Sequence, residues 1–167
     1  AALAATAATA STQRPRLRCQ CCNVMLEQVL LLSHQHGGLR FLLGEEAMRN
    51  IPDAHVEQIY RQEYWNKVNG DQLPSGVDWA VFDWGVNSGT GRAARMLQKC
   101  VSVTADGAIG PMTLSAVRDY GDTKLIEELA ERRQAFYERL KTFETFGAGW
   151  TRRNEETKEQ ALSLIKS

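Results

Sequence analysis

Residues 77–89 read Val77-Asp78-Trp79-Ala80-Val81-Phe82-Asp83-Trp84-Gly85-Val86-Asn87-Ser88-Gly89, and this stretch decides the fold class. Val77, Ala80, Val81, Trp84 and Gly85 fall at i, i+3, i+4, i+7 and i+8, the spacing of one face of a buried helix. Asn87-Ser88-Gly89 supplies the stop. One carboxylate, Asp83, sits among Phe82, Trp84 and Val86, and a charge in such company needs a partner. It either lines a groove or bridges two helices.

Working outward, the same period recurs. Upstream, Pro52-Asp53 opens a segment with Val56, Ile59, Tyr60 and Tyr64 at helical spacing, ended by Asn69-Gly70, and Leu73-Pro74-Ser75-Gly76 is a turn. Downstream, Ala93, Ala94, Met96, Leu97 and Cys100 mark a short helix. Gly107 and Gly110 are expected to allow a tight loop in which Asp106 bonds its own turn, and Pro111 starts a helix with Leu114 and Val117 inward. The longest helix is expected from Thr123 to about Phe143, with Leu125, Ile126, Leu129, Phe136, Tyr137 and Leu140 inward and Glu and Arg outward. Glu128 and Arg132 stand in the favourable i, i+4 order. Gly147-x-Gly149 reads as a break before a last helix from about Trp150 to Ile165. No strand alternation and no repeat occur, so the fold is all-α with short connections.

Composition narrows the function. The 167 residues carry 20 Lys+Arg against 20 Asp+Glu, so a nucleic-acid binder relying on phosphate neutralisation is disfavoured. The longest apolar run, Val29-Leu30-Leu31-Leu32, is far too short to span a membrane. Residues 1–44 differ in character from the rest: an Ala/Thr tract reading as a mobile tail, Arg14, Arg16 and Arg18, then Cys19, Cys21 and Cys22, then His34-Gln35-His36-Gly37-Gly38. Thiols and imidazoles are zinc ligands, but Cys-x-Cys-Cys lacks knuckle spacing, so neither metal nor cofactor is expected. The Ala/Thr tract lacks the basic and apolar regions of a signal peptide. Residues 1–50 hold five basic and three acidic residues, net +2, and the remainder fifteen against seventeen, net −2.

The ordered motifs carry more. Ile59-Tyr60-Arg61-Gln62-Glu63-Tyr64-Trp65, Gly70-Asp71-Gln72-Leu73-Pro74-Ser75-Gly76-Val77-Asp78, the 81–89 segment, Asp106-Gly107-Ala108-Ile109-Gly110-Pro111-Met112-Thr113 and Phe146-Gly147-Ala148-Gly149-Trp150-Thr151-Arg152-Arg153 together resemble the glycoside hydrolase family 108 proteins. These are lysozyme-like muramidases, phage endolysins among them. The resemblance covers about residues 45–165 and implies an all-α, lysozyme-like multi-helix domain. It divides the chain into 1–44, an atypical N-terminal segment, 45–90, part of the lysozyme-like domain, and 91–167, a helical peptidoglycan-binding region.

The implied function is that of a peptidoglycan hydrolase cleaving the bacterial wall's glycan strand, as a monomer. The cytoplasm of the producing or host cell is the expected location, with action on the wall after release. The alternative is a catalytically inactive peptidoglycan-binding or structural module on the same scaffold. Tyr64, Trp65, Asp83, Asn87, Ser88 and Asp106 are the candidate substrate-binding residues: aromatics to stack on sugars, amide and hydroxyl groups to bond them. The family's catalytic carboxylate stands in a Glu-Gly-Gly motif, whereas this chain has His36-Gly37-Gly38, only 24 residues before Tyr60. No residue is therefore assigned as the catalytic Glu. Glu45 and Glu46 are the nearest carboxylates, in a position that suits a helix start.

Overall fold

A computed structural model describes residues 53–165. Within them lie six α-helices and no strand: α1 (Asp53–Tyr60), α2 (Val77–Ser88), α3 (Thr90–Cys100), α4 (Pro111–Tyr120), α5 (Asp122–Glu138) and α6 (Phe143–Leu164). The expected all-α fold is thus the observed one. No helix among these residues is long and apolar enough to cross a membrane.

The helix read from Val77 onward ends where expected, at Ser88, and only Gly89 separates it from α3. Nine of its twelve residues are buried, which is why apolar side chains occur on every face of it. It packs against α3, α5 and α6, so α2 is the axis of the bundle. α1 does not run straight on to Asn69. At Arg61–Trp65 the chain widens into a π-helical turn, in which the Asn66 N–H reaches back to the Arg61 carbonyl at 2.9 Å. This turn presents Tyr64 and Trp65 side by side at its end.

Three expectations need correcting. The longest helix among the described residues is α6, of 22 residues, and α5 stops at Glu138. The reversal falls at 139–142, closed by the Leu140 N–H on the Tyr137 carbonyl and the Phe143 N–H on the Leu140 carbonyl, both 2.9 Å. Gly147 and Gly149 lie inside α6 rather than breaking it. A helical glycine costs about 1 kcal/mol relative to alanine, but a Cβ at Gly147 would sit 2.8 Å from the Phe143 ring. The bare Cα lets that ring lie down on the helix. The second correction is Arg133, expected outward, which is only 2% exposed and points into the core. Likewise Gly110, expected to be needed in its loop, has φ −103° and open space around it.

Gly76 is the position where glycine is required. Its φ of +91° belongs to a region that side chains avoid, and an added Cβ would collide with the Ala161 carbonyl oxygen of α6. The start of α2 is thereby seated directly on the backbone of α6. Gly76→Ala is expected to lower stability by about 3 kcal/mol or more, and Gly110→Ala by less than about 0.5 kcal/mol. Denaturant melts of the two variants check this; equal midpoints would contradict the seating of α2 on α6.

Candidate functional site

Phe82 of α2 gathers the aromatic side chains around the π-turn. Its ring lies 5.6 Å from Trp65, 6.4 Å from Tyr60 and 6.3 Å from Trp79, and Tyr60 stacks on Tyr64 at 5.3 Å. Trp79 and Trp84 are buried and present no face to a ligand, whereas Tyr60, Tyr64 and Trp65 are half-buried. Trp65 is fixed at both ends. Its Nε1–H donates to Asp71 Oδ1 at 3.0 Å, and Arg61 Nη2 holds the same carboxylate at 2.8 Å from Oδ2. Beneath it Gly70 leaves the space that the indole fills.

The centre of the arrangement is Asp83, 3% exposed. Arg153 Nη2 of α6 lies 2.6 Å from Oδ1, and Arg133 Nη1 of α5 lies 2.7 Å from Oδ2. The Thr157 hydroxyl is 3.2 Å from Oδ2 and 2.8 Å from the Arg153 carbonyl. Arg133 is braced in turn, its Nε donating to Tyr137 Oη at 2.7 Å. Burial alone would push the Asp83 carboxyl upward, but the charges of Arg133 and Arg153 outweigh it and hold the group below its ordinary value. Asp83 therefore bridges three helices as an anion, the second of the two roles open to it in sequence.

Asn87, one turn on, donates from Nδ2 to the Asp83 carbonyl at 2.7 Å and to Asp83 Oδ2 at 3.3 Å. Both contacts use the amide nitrogen, so the network orients the half-buried carboxamide. Ser88 ends the helix, its carbonyl accepting from Arg92 Nη1 at 3.0 Å. Tyr60 faces the same network: burial, with the neighbouring Tyr64, raises its hydroxyl to about 12 against the opposing pull of Arg153. It is a neutral hydrogen-bonding group over any working pH range.

Asp106 belongs to a different structure. Its Oδ1 accepts from the Ala108 N–H at 2.8 Å, as expected of a residue bonding its own turn, and from Gln98 Nε2 at 2.7 Å. Gln98, 1% exposed, also reaches the Ala108 carbonyl and Thr113, and accepts the Gly107 N–H at 2.8 Å. The Asp106–Thr113 signature is a polar knot closed around one glutamine.

Sequence reasoning missed Tyr60, Arg133 and Arg153. The need of Asp83 for a partner was the available signal, but it does not say which of 20 cationic residues answers it. Glu45, Glu46, His36 and the cluster Cys19, Cys21 and Cys22 lie outside the described residues. Among the described residues no group of acidic, His and Cys side chains could hold a metal ion.

A family model for glycosyl hydrolase 108 matches residues 6–89, and one for a predicted peptidoglycan domain matches residues 92–155. The first match extends well upstream of the motifs quoted above. Among solved structures, SagA of Brucella abortus is similar at 42% identity and a TM-score of 0.71, over 75% of this chain and 72% of that one. No curated protein matches the chain.

Asp83→Asn leaves the buried Arg133 and the half-buried Arg153 against a neutral amide and is expected to cost about 3–5 kcal/mol. Because the folded-state value of Asp83 is depressed, its contribution is complete above the unfolded value of about 3.9 and disappears as pH falls through the folded value. Thermal melts from pH 7 to 2 are expected to show an acid-induced fall in Tm that is smaller in Asp83→Asn. Superimposable pH profiles would refute the assignment.

Proposed function

The chain belongs to the glycosyl hydrolase 108 family and carries a peptidoglycan domain, which makes it a protein that acts on peptidoglycan, and we propose that it hydrolyses the glycan strand as an N-acetylmuramidase. The observation that carries this reading is the convergence of Tyr60 and Trp65 on Phe82, with Tyr64 stacked on Tyr60, on the helix that also carries an Asn87 amide oriented by a buried Asp83. Rings for stacking on sugar faces and a fixed amide for their polar substituents are what a glycan site needs. Tyr64, Trp65, Asn87 and Ser88 contact the strand in this reading. Asp83 acts from within, holding α2, and Asp106, at the surface, braces the 106–110 loop against Gln98.

Cleaving a glycosidic bond requires a proton for the leaving oxygen and, opposite it, a carboxylate or a positioned water. Asp83 has no proton to give, being held ionised by two arginines. Asp71 is engaged by Arg61 and Trp65. Asp78 has a raised value through burial, but its Oδ1 accepts the N–H groups of Gly76 and Trp79 at the start of α2. Asp71, Asp78 and Asp83 are thus engaged, and Glu27, Glu45 and Glu46 are the side-chain carboxylates of residues 1–52 to be tested as the donor.

The second reading, an inactive wall-binding module, is favoured by one feature, His36-Gly37-Gly38 in place of Glu-Gly-Gly. Turbidity loss of outer-membrane-permeabilised Gram-negative cells, paired with pull-down on purified sacculi, separates the two. Lysis is expected, with one of Glu27→Gln, Glu45→Gln or Glu46→Gln slowing it by about 10²–10⁴-fold while leaving sacculus binding intact. Binding without lysis by the unaltered chain would establish the inactive module instead.

A further inference from the structure

Two large hydrophobic side chains among the described residues are conspicuously exposed, Met112 at 79% and Phe146 at 54%. Met112 stands alone at the start of α4. Phe146 is the outermost member of a run of rings across the α5–α6 corner. Its ring lies 5.9 Å from Trp150, which lies 6.5 Å from Phe143 and 5.4 Å from Tyr137, itself 5.8 Å from Phe136. Phe143, Phe146 and Trp150 share one face of α6 at i, i+3 and i+7, and Gly147 leaves the room that the Phe143 ring occupies.

The run does not end on the corner. Arg92 covers the Phe136 ring at 4.9 Å and donates to the Ser88 carbonyl, so the aromatic surface is continuous with the end of α2, where Asn87 and Ser88 stand. Its edge is polar: Gln134 Nε2 and the Thr151 hydroxyl meet at 3.0 Å. Within the 92–155 match, the Asp106–Thr113 signature is tied to Gln98 through Asp106, Gly107 and Ala108.

We propose that Phe146 and Trp150, with the Thr151–Gln134 edge, form a distal subsite that stacks on a pyranose of the glycan strand beyond the residues at the end of α2. A pyranose offers a C–H face the size of one ring and an equatorial rim of hydroxyls, which matches one exposed ring with a polar border. A folded protein partner needs about 800 Å² on each side, whereas the conspicuously exposed ring here is Phe146 alone. The inference rests on the reading that the chain binds peptidoglycan.

The test is co-sedimentation of the full chain with two preparations, intact sacculi and sacculi stripped of stem peptides by an amidase. Phe146→Ala is expected to weaken binding to both by about tenfold without lowering Tm, and Phe146→Tyr and Met112→Ala to bind like the unaltered chain. Unchanged binding by Phe146→Ala overturns the subsite while the wall-binding reading stands. Loss of binding on amidase treatment makes the stem peptide the ligand and overturns it as well. No binding by the unaltered chain removes both. A dimer by light scattering that Phe146→Ala converts to monomer assigns the patch to self-association instead.

Discussion

A carboxylate in the middle of a helical bundle stays ionised only if cationic groups come to it, and most of this structure follows from how Asp83 is satisfied. Arg133 approaches from α5 and Arg153 with Thr157 from α6, so one anion fixes the separation and rotation of three helices. Removing the anion leaves two guanidinium charges facing each other uncompensated, which is why the centre of such a cluster tolerates so little change. Other contacts reinforce the same geometry. Asn154 Nδ2 donates to the Ala130 carbonyl at 2.8 Å, the Ser75 hydroxyl to the Leu164 carbonyl at 3.0 Å, and Gly76 admits the backbone of α6 at the start of α2.

The same constraint positions the candidate site. Phe82 and Asp83 are neighbours on α2: the first gathers Tyr60, Trp65 and Trp79, the second orients Asn87 and draws Arg153 to the side of Tyr60. Rigid placement of polar groups before ligand arrives lowers the cost of ordering them on binding. The C-terminal region uses the same device with a neutral residue, Gln98, in place of Asp83. There the knot around the buried Gln98 holds a loop.

Much of this was legible in sequence, and what was not has definite causes. Periodicity located α2, α3 and α4 because their apolar faces are strong and their boundaries carry Gly or Pro. It misplaced the α5–α6 turn because Gly147 and Gly149 look like breakers, whereas the packing of the Phe143 ring over a bare Cα is a tertiary effect. It assigned Arg133 outward because a charge on a helix is usually solvated, and only the carboxylate 50 residues upstream reverses that expectation. The π-turn that sets Tyr64 beside Trp65 has no sequence marker at all. Family resemblance supplied the substrate class, which no pattern of charge or hydropathy in a chain of zero net charge would have indicated.

The claim on which the account turns is that this scaffold cleaves the bond after N-acetylmuramic acid. Purified sacculi digested with the full chain, reduced with borohydride and analysed by mass spectrometry test it directly, because reduction marks the newly exposed sugar. The account predicts soluble fragments ending in reduced N-acetylmuramic acid. Fragments ending in reduced N-acetylglucosamine, released stem peptides, or sacculi recovered whole would contradict it.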